Sequence, residues 1–277
     1  MKNKIIKSGS SIYISNENLE ECLYYIKDHS IKNIIVSDQY YTGDNLDFLL
    51  QCKKIETIGI DAGLLKNIDG IYNLDNLKEL SMIENDNKIP IQLEQFPHLE
   101  ILRLEWIPKM RGLSSLKSLE RLELYGYKPE KKNLTELSDL RQLKQLVLTQ
   151  GNISSLHGIG NLINLRELQL NYIRALKDVK DIKSLKYIRK LEIESCKNIR
   201  NISECRYLNN LETLDLFKCG DIETIDFVQN MENLSEFFFK ETNIIDGNLN
   251  ACKNIKSVSF TNKKHYSHKE KDFEVIS

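Results

Sequence analysis

Leu143-x-x-Leu146-x-Leu148-x-x-Gly151-x-Ile153-x-x-Leu156-x-x-Ile159-x-x-Leu162-x-x-Leu165 is a window that the chain repeats at once. From Leu165 the apolar residues fall at Leu168, Leu170, Ile173, Leu176, Val179, Ile182, Leu185 and Ile188, with nearly the same spacing. Working outward, the first apolar position of each window lies at Ile31, Ile55, Leu77, Leu99, Leu119, Leu143, Leu165, Ile188, Leu211, Leu234 and Ile255. The steps between them run from 20 to 24 residues. Self-similarity of this length marks a solenoid, in which each repeat is one supersecondary unit. A further step back reaches Gly9, with Ile12 and Ile14 then on strand positions. That is a degenerate first coil, as terminal repeats tend to be. The expectation is about twelve coils over residues 9–262.

Within a coil, apolar residues two apart face one side of a short strand. The later apolar residues at three-residue spacing, such as Leu156, Ile159 and Leu162, suit a helical or 3₁₀ segment. Strands stacked in parallel therefore make a sheet on the concave side, with the helical or 3₁₀ segments on the convex side. One coil cannot bury its own apolar face, so neighbours must cover it.

The L-x-x-L-x-L strand pattern over consecutive frames resembles the leucine-rich repeat family, in the 22-residue form of internalins and of the phosphatase-regulating solenoids. The resemblance implies an α/β class fold, a right-handed, curved solenoid. The family carries a ladder residue, usually Asn, eight places after the first apolar position. Here that place holds Asn85, Gly151, Cys196 and Cys219, but also Ile107, Tyr127, Ile173 and Thr242. A continuous asparagine ladder is not expected.

Residues 1–277 read as one leucine-rich repeat domain. Residues 1–30 form a strand–helix cap, 31–262 the repeats, and 263–277 a charged C-terminal tail or cap. In the first segment Leu19, Leu23 and Ile26 have helical spacing, with Asn16 or Asn18 as N-cap. In the last, Tyr266, Phe273, Val275 and Ile276 can fold over the final coil and cover its edge.

Net charge is −1, which gives no bulk attraction to nucleic acid or anionic membrane. No apolar run approaches the roughly 18 residues of a membrane span, and the start MKNKIIKSGSS lacks a signal-peptide core. The expectation is a cytoplasmic protein, monomeric when free, with no membrane or nucleic-acid partner. The six cysteines form no C-x-x-C pair and read as buried structural thiols. His265-x-x-His268 has no cysteine nearby to complete a zinc set. Walker, G-x-S-x-G, H-E-x-x-H and G-x-G-x-x-G motifs are absent from the sequence. Arg103, Arg121, Glu105 and Glu123 are the one dense polar cluster, and salt bridging explains it more simply than catalysis. No cofactor, metal or catalytic residue is expected, and the chain reads as no enzyme.

Function on a scaffold must be read from its surface. Outward positions lie two, four and six places after each first apolar residue. They carry nine acids, namely Asp61, Glu79, Glu105, Glu123, Glu167, Glu192, Glu194, Asp215 and Glu236. Only Arg103, Arg121, Lys190 and Lys240 oppose them. Tyr125, Phe217 and Phe238 share the face, with Trp106, Tyr127 and Tyr172 just beyond the strands. Rigid aromatics among charges are what binding hot spots look like. In the run Phe237-Phe238-Phe239 a slip of one residue would reverse which rings point out. The candidate partner-binding residues are Arg103, Glu105, Trp106, Glu123, Tyr125, Tyr127, Tyr172, Glu192, Glu194, Asp215, Phe217 and Phe238.

A basic stretch, Arg174 to Lys190, reads as a solvated helical face. The expected function is non-catalytic binding of a protein with a basic patch. The resemblance adds an inhibitor or toxin-immunity role, or alternatively a regulatory subunit or scaffold for a cellular enzyme.

Overall fold

The structure is a computed structural model that describes residues 5–83, 87–108, 110–177 and 179–273. Asn85 of the ladder column, Asp178 of the basic stretch, and Val275 and Ile276 of the tail lie outside the described residues. The chain divides into two compact units, Met1–Leu122 and Glu123–Ser277.

In the first unit, β1 (Lys7–Ser8) and β2 (Ser11–Tyr13) form an antiparallel hairpin. Gly9 is its turn residue, with φ +57°, a conformation that costs glycine little. Gly9 thus closes a hairpin rather than opening a coil, and the strand before it was not expected. β2 then pairs in parallel with β3 (Asn33–Ser37), followed by β4 (Thr57–Asp61), β5 (Glu79–Met82) and β6 (Ile101–Glu105). Ile34, Ile58, Leu80 and Leu102 align across the strands and are fully buried. α1 (Leu19–Asp28) buries Cys22, Leu23 and Ile26, while Leu19 is half-buried. Neither candidate N-cap bonds the helix backbone through its side chain. Asn16 Oδ1 accepts the Thr42 N–H at 2.5 Å, and Asn18 Oδ1 accepts the Cys22 thiol at 3.6 Å. Later coils replace the helix with 3₁₀ turns at Asp47–Gln51, Asp69–Asn73, Leu93–Gln95 and Leu113–Ser115.

The strand β7 (Arg121–Tyr125) straddles the division of the chain. The second unit holds β8 (Gln145–Thr149), β9 (Glu167–Asn171), β10 (Lys190–Glu194), β11 (Thr213–Phe217), β12 (Gly220–Ile222), β13 (Glu236–Phe239), β14 (Thr242–Ile244) and β15 (Ser257–Phe260). β8, β9, β10, β11, β13 and β15 pair in parallel in that order, and β12 pairs with β14 in a second small sheet. Leu146, Leu168, Leu191, Leu214 and Phe237 stack as one buried row. Phe237 and Phe239 point inward and Phe238 outward, so the alternation of β11 carries into β13 without a slip. Each first apolar residue read from the sequence lies two places before its strand. Convex segments here are also 3₁₀, including Lys180–Ser184, which replaces the helical face expected for the basic stretch.

After β7, β8, β9, β10, β11 and β13 the chain turns through a left-handed residue. Gly126, Gln150, Tyr172, Ser195, Lys218 and Glu241 all have φ between +54° and +69°. The non-glycine members are strained, and neighbouring coils hold them. Gln150 N–H donates to Asn171 O, Tyr172 N–H to Glu194 O and Ser195 N–H to Phe217 O, each at 2.8 Å.

Just past this turn, Cys196 Sγ donates to Leu170 O at 3.4 Å and Cys219 Sγ to Ile193 O at 3.0 Å. Thr242 Oγ1 donates to Leu216 O and accepts the Cys219 N–H at 3.0 Å. Thr242, a departure from asparagine in sequence, thus does the ladder's work. A separate asparagine series sits one place before the first apolar residue. Asn164 Nδ2 donates to Arg141 O, Asn210 Nδ2 to Lys186 O and Asn233 Nδ2 to Asn209 O, at 2.9, 2.7 and 2.6 Å.

All six cysteines are free and buried. Burial pushes the Cys196 thiol up to about 11, and those of Cys205, Cys219 and Cys252 to about 12. They are therefore protonated and inert at neutral pH.

At the end of the unit, the chain after β15 folds across the last coil. Phe239 stacks on Phe260 at 4.7 Å between ring centroids, and the Tyr266 and Phe273 rings each meet Phe260 edge-on at 5.8 Å. The Tyr266 hydroxyl accepts the Ile244 N–H at 3.0 Å and donates to Thr242 O at 3.2 Å. Glu270 accepts from Ser259 Oγ and from the Phe260 N–H. His265 Nε2 lies 2.9 Å from Ile244 O and His268 Nε2 3.1 Å from Asn250 Oδ1.

Leu168→Ala should leave a cavity between neighbouring coils and cost about 2–5 kcal/mol, read from thermal or denaturant unfolding. Thr242→Val keeps the shape but strands Leu216 O and the Cys219 N–H. It should cost about 1–3 kcal/mol, and an unchanged melt would show that the ladder adds no stability.

Candidate partner-binding surface

The outer sheet face of the second unit is set out in rows by the strand register. The first row runs Gln145, Glu167, Lys190, Thr213, Glu236 and Ser257; the second Val147, Gln169, Glu192, Asp215, Phe238 and Ser259; the third Thr149, Asn171, Glu194 and Phe217. Neighbours in a row sit roughly 4.8 Å apart along the sheet. Most of these side chains are half-buried, and Val147 is nearly fully so.

Glu192 is paired with Asp215 in the second row, so two carboxylates stand side by side. Like charges directly opposite are destabilising. Lys190 Nζ lies 3.2 Å from the Glu192 carboxylate and offsets part of the repulsion. Burial, then the charge of Glu192, raises the Asp215 carboxyl above its usual range, with Lys190 acting against them and Glu194 adding to them.

In the third row Glu194 is beside Phe217. The Tyr172 hydroxyl donates to Glu194 Oε1 at 2.5 Å, which raises the phenol's pKa. Tyr172 reaches it from the left-handed turn, half exposed at 49%. The Lys218 ammonium lies 4.7 Å from the Phe217 ring centre, a cation–π contact, and 3.5 Å from Glu241. Phe238 is half-buried beside Asp215 and Ser259. The Asn171 Oδ1 is buried without a hydrogen-bond donor. Across the three rows five carboxylates, Glu167, Glu192, Glu194, Asp215 and Glu236, face one ammonium, Lys190.

The second unit thus brings Tyr172, Glu192, Glu194, Asp215, Phe217 and Phe238 onto one face. Tyr125 is half-buried on β7, and Glu123 is 9% exposed. Tyr127 corrects the sequence reading. It fills the ladder position as a core side chain, 1% exposed, and burial raises its phenol. It is not available to a partner. Arg103, Glu105 and Trp106 belong to the first unit. Arg103 Nη1 is ion-paired with Glu79 Oε1, and Trp106 is half-buried after β6. Lys218 was missed as a contributor, because it is one place outside the outward columns.

Among the described residues no group of three or more His, Cys, Asp or Glu is placed to hold a metal ion. Among them, too, no helix is long and apolar enough to cross a membrane. The basic stretch is partly paired across coils, Lys183 with Glu204 at 3.6 Å and Arg189 with Glu212 at 3.7 Å.

Asp215→Asn should stabilise the protein at pH 7. A carboxyl raised in the folded state costs stability when ionised, and the cost fades as pH falls through its folded pKa toward the unfolded 3.8. Removing one of two adjacent like charges should gain roughly 0.2–1 kcal/mol, or about 1–3 °C in Tm. The difference between variant and parent should shrink in melts at progressively lower pH.

No protein-family model matches the chain, and no curated protein matches it. Solved structures do. An internalin, InlF, from Listeria monocytogenes is 16% identical, with 83% of this chain and 79% of that one covered and a TM-score of 0.48. Internalin C2 from the same species is 22% identical, covering 77% and 84%, with a TM-score of 0.49. TLR13, solved in complex with ssRNA13, is 20% identical over 83% of this chain and 36% of its own, with a TM-score of 0.58. Together with the strand and 3₁₀ repeat, this makes the fold that of a leucine-rich repeat solenoid.

Proposed function

We propose that the chain is a non-catalytic protein-binding module whose second unit engages a basic protein through its outer sheet face. The observation that carries this reading is the Glu192–Asp215 pair. A face built only for stability gains nothing from adjacent carboxylates, one of them half-desolvated. A lysine or arginine from a partner would relieve the repulsion between these two carboxylates. Phe217 and Phe238 supply rigid apolar area beside the charges, in the manner of a hot spot. In its narrower form the role is that of an inhibitor or immunity protein, a monomer that occupies one basic protein and covers its surface. The six buried, free thiols suit a reducing compartment, and we place the protein in the cytoplasm.

The test is affinity capture from the native lysate at low and high salt, with Asp215→Lys/Phe217→Ala as control. The expected result is one stoichiometric basic protein, lost in the variant and weakened by salt. Several sub-stoichiometric partners, or the same partner held equally by the variant, would remove this reading in favour of a regulatory scaffold.

A further inference from the structure

The first unit carries a second surface of opposite character. α1 is the one α-helix among the described residues, and the next coil answers it with a five-residue 3₁₀ turn, Asp47–Gln51. A 3₁₀ segment is narrower than an α-helix, so the two cannot pack flush along their length. The mismatch leaves a trough of about 570 Å³. Leu23, Ile26, Ile31 and Cys52 line it together with Tyr24 and Leu50. Tyr24 is 70% exposed and Leu50 56%, although both are large and apolar.

Leu50 departs from the chain's own repeat. Five places before the first apolar residue, the next coil carries Tyr72, which is half-buried against Phe96, and later coils carry Glu94, Ser114, Ser138, Lys183 and Arg206. Solvation explains the polar residues and packing on Phe96 explains Tyr72, whereas Leu50 is apolar and exposed. The charges at the trough are also one-sided. Lys27, Lys53 and Lys54 line it against Glu20. No carboxylate lies within ion-pair distance of these three lysines among the described residues. Elsewhere in the same unit, Lys32 and Lys78 share Glu56.

We infer that this trough is a docking site for an acidic amphipathic helix of a protein partner. Apolar side chains at i, i+3, i+4 and i+7 would fill the trough against Tyr24 and Leu50, with carboxylates on the flanks meeting Lys27, Lys53 and Lys54. A strand is the poorer fit. The walls are a helix and a 3₁₀ turn whose backbone bonds stay local, with Leu49 N–H on Leu46 O and Cys52 N–H on Leu49 O, so they offer no sheet edge. The lysines select an acidic helix over a basic one. No residue that lines the trough belongs to the acidic face of the second unit.

The test uses the full chain and two fluorescent helical peptides with the same leucine spacing, one flanked by glutamates and one by lysines. Anisotropy titrations should show saturable, one-to-one binding of the acidic peptide and at least about tenfold weaker binding of the basic one. Lys53→Glu/Lys54→Glu should reverse that preference. Leu50→Ala should weaken both peptides, and Asp215→Lys should change neither. Circular dichroism melts check that every variant remains folded; Leu50, Lys53 and Lys54 are exposed positions of this trough. The inference fails if the acidic peptide does not saturate, or if Lys53→Glu/Lys54→Glu leaves the preference unchanged. It also fails if dodecanoate binds the trough while the acidic peptide does not, since the trough would then take a small amphiphile.

Discussion

Leu168 is buried because Leu146 and Leu191 flank it in register, and each of those is buried for the same reason. No coil in either unit could bury its own strand residues alone. The same dependence governs hydrogen bonding. The N–H of Tyr172 finds its acceptor in the next coil, at Glu194, and the thiol of Cys219 finds one in the previous coil, at Ile193. A backbone turn and a side-chain ladder therefore link coils in both directions. The left-handed residues are tolerated because these bonds hold them, so strain at one coil is offset by its neighbours.

That division of labour frees the outer sheet face. Residues on it are fixed in position by the strands yet add little to the core. What they carry is informative where it works against stability. Lys190 beside Glu192 needs no explanation beyond local neutralisation, whereas Asp215 beside Glu192 does. Phe238 exposes part of a ring that an inward position would have buried, while Phe237 and Phe239 on either side are buried completely. On the proposed reading, stability and recognition make separate demands on alternate residues of the same strand.

The strands were legible in the sequence because burial direction is encoded by spacing. Two-residue alternation inside a repeat of about 22 residues gave each strand its start. It also left the Phe237-Phe238-Phe239 run ambiguous, since three identical residues contain no alternation. Only pairing with Leu214 and Asp215 resolves it. Spacing does not encode which group in the next coil a side chain will meet. Hence Thr242 looked like an interruption and proved a ladder member, and Tyr127 looked like a surface ring and proved core. The asparagine series of Asn164, Asn210 and Asn233 was passed over because it lies at the strand entry, away from the place where the family keeps its ladder. The β1–β2 hairpin escaped for another reason: two residues are too short to show a period.

Net charge was the least informative quantity. A value of −1 suggests a neutral surface without preference. The two units each carry a local patch that the total conceals. One carries an acidic sheet face with a half-desolvated aspartate, and the other an apolar trough lined by three lysines that no described carboxylate pairs. Screening limits exposed charges to roughly 10 Å at moderate salt, so a partner responds to the local patch and hardly to the total. A nearly neutral solenoid can therefore hold two electrostatic specificities of opposite sign, each confined to its own coils. Selection on one need not disturb the other, because each coil's stability depends mainly on its immediate neighbours.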